Sequence, residues 1–237
     1  MDHTGYITLT RQSGLMREMQ ILANNIANAA TTGYRQEGLV FSEFVQRVGN
    51  APSVSMAHAT ARGISDVQGA MKQTGGVFDL AIEGPGYFLV ATTEGERLTR
   101  AGHFAPNAEG ELVTPDNHRV LDAGGAPVFV PPGVETVSIA SDGTLSVDGR
   151  PLGQIGIVNP ADPTLLRREA GALFASDNGY EPVANPRIMQ GFLESSNVNA
   201  MSQLARMIEV QRAYEMGQSF LDAENDRIRE AVKSLTR

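Results

Sequence analysis

Asp79-Leu80-Ala81-Ile82-Glu83-Gly84-Pro85-Gly86-Tyr87-Phe88-Leu89-Val90 is the stretch that decides how this chain folds. Phe78, Leu80 and Ile82 alternate with Asp79, Ala81 and Glu83, the period of a strand with one buried face. Gly84-Pro85-Gly86 ends the run. Proline presets φ for a turn, and a following glycine can take the positive φ that a type II turn needs, so Gly86 is expected there. The chain then returns through four apolar residues, a second strand.

The period of two persists downstream. Short apolar runs follow at Leu112-Val113, Arg119-Val120-Leu121, Val128-Phe129-Val130, Val137-Ser138-Ile139, Leu145-Ser146-Val147 and Ile155-Gly156-Ile157-Val158. Turn residues separate them, among them Asn107 to Gly110, Asp142-Gly143 and Asp148-Gly149. Short strands at this spacing predict a mostly antiparallel β domain over residues 74–190. Upstream, residues 36–73 hold one apolar patch, Leu39 to Val45, and then small and polar residues, and read as an extended linker.

The ends of the chain follow a helical period. Leu15, Met19, Leu22 and Ile26 share one face of a helix within residues 1–35, and Gly33 offers a stop. Residues 191–237 carry a longer pattern. Leu204, Met207, Gln211, Tyr214, Gln218, Leu221, Asn225, Ile228, Val232 and Leu235 recur at spacings of three and four, a heptad seam of roughly 48 Å. A second row through Met201, Ala205, Ile208, Met216 and Phe220 widens the stripe. Neither terminal stripe can be buried alone. The expected fold is therefore α+β, with the two terminal helices pairing as a coiled-coil-like inner domain around the central β domain.

Polar residues punctuate these stripes. Gln211, Gln218 and Asn225 recur every seventh residue, either selecting register and partner number or facing solvent. Asn24, Asn25 and Asn28 are mediocre interior helix residues. They either bond to neighbouring helices in an assembly or mark a fraying helix end.

Composition excludes several chemistries. The 237 residues carry a net charge of −8, which argues against nucleic acid or an anionic membrane as the main partner. No cysteine is present, so thiolate metal sites and thiol catalysis are excluded. His3, His58, His103 and His118 are isolated, and no phosphate loop or nucleophile elbow occurs. No catalytic residue, cofactor or metal is expected. The N-terminus lacks the basic start and apolar core of a cleaved signal peptide, and no apolar run of membrane-spanning length exists.

Leu22-Ala23-Asn24-Asn25-Ile26-Ala27-Asn28-Ala29-Ala30-Thr31-Thr32-Gly33-Tyr34-Arg35 resembles the N-terminal signature of the flagellar basal-body rod and hook protein family. Asp79 to Phe88, Thr99-Arg100-Ala101-Gly102-His103-Phe104 and Gly110 to Thr114 are similar to the start of that family's β domain. Gln190 to Asn199 and Met207 to Glu215 resemble its C-terminal signature. The resemblance implies a structural subunit of the hollow axial rod, its terminal helices lining the inner tube. It implies export by the flagellar type III apparatus without a cleaved signal, and a place in the rod crossing the periplasm. The partners implied are proximal- and distal-rod proteins and copies of the chain itself. The asparagines and the two apolar stripes then become assembly contacts. Met1-Asp2-His3, Tyr6 and a short connection from Tyr34 to Thr74 resemble the F-type proximal-rod class. The distal-rod class is the alternative, and a peptidoglycan-binding or -cleaving β domain with coiled-coil arms is a remote third.

Overall fold

A computed structural model describes residues 3–46, 54–134 and 136–235, with side chains over 8–39, 63–134 and 136–234. Met1, Asp2 and the side chains of His3, Tyr6, His58, Leu235 and the apolar patch from Val40 to Val45 lie outside that description. The chain divides into two compact units. One gathers residues 1–27, 37–65 and 199–237, and the other gathers 28–36 and 66–198.

The first unit holds helix α1 (His3–Ala27), strands β1 (Glu37–Gln46) and β2 (Val54–Ile64), and helix α2 (Ala200–Leu235). β1 and β2 form an antiparallel hairpin from Glu37↔Ile64 to Gln46↔Val54, with a register shift between Val40 and Phe41. This hairpin occupies most of the stretch expected as an extended linker. Asn199 caps α2. Its side chain accepts from Ser202 N at 3.1 Å, satisfying one of the unpaired amides of the first turn.

The α+β class holds, but the coiled-coil-like pairing of the terminal helices does not. α1 and α2 run antiparallel, with Asn25 opposite Gln203, Glu18 opposite Arg206 and Gln12 opposite Tyr214. The covered face of α2 is Gln203, Met207, Val210, Tyr214, Gly217, Leu221 and Glu224. Only Gln203 and Val210 in it are fully buried. Three members of that face are polar or lack a side chain, so it offers few apolar knobs. The expected seam sits one residue off it. Leu204 is 43% exposed, Ile228 48% and Val232 55%, whereas coiled-coil knobs would be covered. The physical reason is at Gly217. A side chain there would collide with Gln12, so the bare backbone lets α1 approach on this face. Gln12 Nε2 then donates to the Tyr214 carbonyl at 2.9 Å.

The second unit is built on a nine-stranded antiparallel sheet. Its central strand Tyr87–Thr92 pairs with Gly95–Thr99, with Arg119–Val120 and with Ile157–Pro160. A three-stranded sheet (Val137–Ile139, Thr144–Val147, Arg150–Gln154) lies beyond it in sequence. Two short pairs bring the late chain back: Ile188–Gln190 on Leu80–Ile82, and Phe192–Glu194 on Met71–Gln73. Leu80, Ile82, Phe88, Val90, Leu112, Val120 and Ile157 form the core, with Phe104 edge-on to Phe88 at 5.1 Å. Burying each such side chain contributes roughly 1.5–3 kcal/mol. The run Val128-Phe129-Val130 makes only isolated bridges, because Phe129 turns outward while Val128 and Val130 fill the core.

α1 stops at Ala27, well short of Gly33. Residues 28–36 instead belong to the second unit. Gly33 (φ 69°) donates to the Glu194 carbonyl at 2.8 Å, and a Cβ on it would collide with the backbone at Ala101. Gln36 N donates to Asn197 Oδ1 at 2.6 Å, and Asn197 N to the Tyr34 carbonyl at 3.3 Å.

Candidate functional site

Asn25 is the polar centre of the first unit. It faces the interior of α1 and is fully buried. Its Oδ1 accepts from Glu37 N at 3.0 Å and its Nδ2 donates to Glu37 O at 2.8 Å. This two-way bond copies the pairing of one strand residue with another, and so fixes where β1 starts beside α1. The same Nδ2 donates to Gln203 Oε1 at 3.1 Å, adding α2. A buried amide this fully used costs little in place, and its removal would orphan several groups.

Asn24, by contrast, is exposed, and Asn28 accepts from Thr31 Oγ1 at 3.1 Å in the loop after α1. Leu22 is buried, and Leu15, Met19 and Ile26 are half-buried. On α2, Met207, Tyr214 and Leu221 are half-buried, and Leu204, Ile208, Gln211, Gln218, Asn225, Ile228 and Val232 are exposed. Gln211 Nε2 donates to Glu215 Oε1 at 3.1 Å, one turn on. The exposed apolar residues Met201, Leu204, Ile208, Met216, Phe220, Ile228 and Val232 leave an uncovered stripe along most of α2.

The second unit has a charged centre. Glu194 (1% exposed) ends its strand between two arginines. Its Oε1 meets Arg35 Nη2 at 2.8 Å and accepts from Gly69 N at 3.1 Å; its Oε2 meets Arg100 Nη1 at 3.2 Å. Backbone carbonyls take the remaining guanidinium donors. Arg35 donates to Asp66 O and Val67 O, and Arg100 to Ile82 O and Gly84 O. Burial pulls the Arg100 pKa below its ordinary value, against the opposing charge of Glu194. Arg168 stacks over Tyr34 at 4.1 Å and donates to the Arg35 carbonyl, so the loop after α1 is pinned on both faces. Burial raises the Tyr87 hydroxyl pKa, and Arg100 lies over that ring at 5.2 Å.

Gly84, Pro85 and Gly86 join the two strands, with φ of 91° at Gly84 and 128° at Gly86. Gln68 clamps the turn, its Oε1 accepting from Gly84 N at 3.2 Å. An open cleft of about 690 Å³ lies beside this turn, Arg35 and Arg100. His103 Nδ1 sits 2.6 Å from Asp79 Oδ1, whose other oxygen accepts from Thr74 Oγ1. Among the described residues, no group of three or more His, Asp and Glu could hold a metal ion, and no helix is long and apolar enough to cross a membrane.

The sequence reading reached Asn25 but not its partners, and it did not find the charged triad. One signal was present. Arg35, Arg100 and Glu194 are charged residues inside the three stretches that carry the resemblance, each flanked by residues expected to be packed.

Comparison with known proteins agrees with this architecture. Residues 6–35 match the family described as flagella basal body rod protein. Residues 81–147 match the flagellar hook protein FlgE/F/G D1 domain, and residues 189–234 match the flagellar basal body rod FlgEFG protein C-terminal family. The chain is 37% identical to the flagellar basal-body rod protein FlgF of Caulobacter vibrioides, over 99% of this chain and 98% of that one. It is 35% identical to FlgF of Mesorhizobium japonicum over 99% and 98%, and 29% identical to FlgG of Bacillus subtilis over 96% and 97%. Buried nodes built from the matched stretches, and full-length identity above 30%, place the chain in the flagellar basal-body rod protein family, as a structural rod subunit of the FlgF type.

Proposed function

We propose that the chain is a proximal-rod subunit that assembles through its terminal helices with copies of itself and with other proximal- and distal-rod proteins. In the rod it carries motor torque across the periplasm towards hook and filament, after export by the flagellar type III apparatus. The carrying observation is the apolar stripe that α2 leaves uncovered from Met201 to Val232. A contiguous apolar surface of this kind marks a protein–protein contact. The residues proposed for those contacts are Leu15, Met19, Leu22, Asn24, Asn28 and Ile26 on α1, and Leu204, Met207, Ile208, Gln211, Tyr214, Gln218, Leu221, Asn225, Ile228 and Val232 on α2. Asn25 contributes indirectly, holding α1, β1 and α2 in place, and the Gly84-Pro85-Gly86 turn shapes the β unit. The FlgF-type identity supports the proximal position over the distal one. The test is a clean gene deletion followed by electron microscopy of basal bodies. The expected result is loss of swimming and no rod, hook or filament beyond the inner-membrane ring. Normal motility would overturn the proposal.

A further inference from the structure

The two helices of the first unit leave a groove of about 380 Å³ between them, walled by Leu15, Met216 and Phe220 and lined by Arg11, Gln12 and Gly217. Gly217 makes the groove, since any side chain there would occupy the space that Gln12 enters. Gln12 is turned towards α2 by its bond to Tyr214 O, and its buried Oε1 has no hydrogen-bond partner. The last turns of α2 are of complementary character. Ile228 and Val232, one turn apart, are 48% and 55% exposed. Beside them residues 222–230 carry four carboxylates, Asp222, Glu224, Asp226 and Glu230, against Arg227 and Arg229. Glu224 is paired with Arg227, and Asp226 lies 3.9 Å from Arg229. The surplus is negative. On α1, residues 8–27 carry Arg11, Arg17 and Glu18, a positive surplus, and Glu18 already holds Arg206 at 2.8 Å.

We propose that this groove receives the last turns of α2 from a second copy of the chain, Ile228 and Val232 seating on Leu15, Met216 and Phe220 with the acidic flank against Arg11. This rests on the rod-subunit reading and names one contact within it. A chain cannot fill its own groove, because Met216 and Val232 stand on one continuous helix, roughly 24 Å apart. The contact is therefore heterologous, groove to tail, and repeats into an open array instead of closing as a symmetric dimer. Seating an i, i+4 apolar pair in a groove between helices is a familiar recognition mode.

The absence of native cysteine makes the test direct. The full-length chain carrying Met216→Cys and Val232→Cys is oxidised, purified and also in flagellated cells. Intramolecular closure is ruled out by distance, since a disulfide needs Cα atoms within about 7 Å. The expected result is a ladder of dimers, trimers and higher species, with each single variant staying largely monomeric. Arg11→Glu should weaken the ladder several-fold at low salt, and adding Glu230→Arg should restore part of it. The pair Ala213→Cys and Ile228→Cys repeats the test should the first pair fold poorly, as judged by circular dichroism. A ladder no stronger than that of a Val67→Cys control on the other unit would overturn the proposal. So would tail-to-tail dimers of Val232→Cys alone, or cross-links in cells only to a different rod protein. None of these outcomes would touch the rod assignment, which falls only if the deletion strain swims.

Discussion

Replacing Glu194 with alanine tests the charged centre of the second unit. Glu194 accepts from Arg35 at 2.8 Å, from Gly69 N at 3.1 Å and from Arg100 at 3.2 Å. Its loss leaves two guanidiniums, 2% and 4% exposed, that repel each other and keep only backbone carbonyls as partners. Breaking a buried ion pair by removing one side costs about 3–5 kcal/mol. For a chain of this length about 2–4 °C of Tm goes with each kcal/mol, so the melting point should fall by roughly 6–20 °C. Urea and thermal unfolding followed by circular dichroism measure this. A second variant separates charge from packing. Arg35→Met, Glu194→Leu and Arg100→Met together remove every buried charge, and the triple variant should recover much of the loss, because desolvating ions offsets most of what a buried pair gains. A Glu194→Ala chain within about 1 kcal/mol of the parent, or a triple variant as unstable as the single, would refute this account of the centre.

Asn25→Ala should cost about 1–3 kcal/mol, because Glu37 N–H and Gln203 lose a buried partner; amide exchange should accelerate across β1 and α1 while the second unit is unchanged. Gly86→Val should cost about 1–3 kcal/mol, since φ is 128° and a Cβ would lie 2.7 Å from Ile157, and the denaturation midpoint of the second unit reads it. For Asp79, burial raises the carboxyl pKa, but the bonds from Thr74 and His103 and the His103 charge outweigh it, and the net pKa is below the usual 3.8. A depressed folded pKa gives stability that is present above 3.8 and lost as pH falls below it. Asp79→Asn should therefore lower stability near neutrality and flatten the acid limb of the unfolding profile. An unchanged limb counts against the Thr74–Asp79–His103 linkage.

The regular periods were legible in the sequence, and the choices between equivalent faces were not. The alternation from Phe78 to Ile82 and the stop at Gly84-Pro85-Gly86 led directly to a strand pair of the β unit, because a period of two has one buried face to offer. α2 has two apolar rows, and hydropathy favoured the one through Leu204 and Ile228. The row that meets α1 is set by close approach at Gly217, and that depends on Gln12, two hundred residues away in sequence. The β1–β2 hairpin was unreadable for a related reason. Val54–Ile64 is mostly small and polar residues, with little alternation to mark it as a strand. Asn25 stood out as polar in an apolar segment, yet its partners Glu37 and Gln203 are tertiary and leave no local pattern.

The loop after α1 and the segment before α2 are hydrogen-bonded to each other within the second unit, through Gly33 to Glu194, Gln36 to Asn197 and Asn197 to Tyr34. This sets an order of folding. In the unfolded chain α1 and α2 are separated by residues 28–199, and closing so long a loop costs roughly 4–5 kcal/mol of chain entropy beyond a constant. Once the second unit has folded, that loop is already closed, and its two exits release α1 and α2 from neighbouring points. The first contact available to them is the nearest, Asn25 with Gln203, and pairing can then run outward like a zipper towards Gln12 and Tyr214. The β unit thus acts as the template on which the helical unit closes, and lesions that slow the β unit should delay helix pairing even where they touch neither helix.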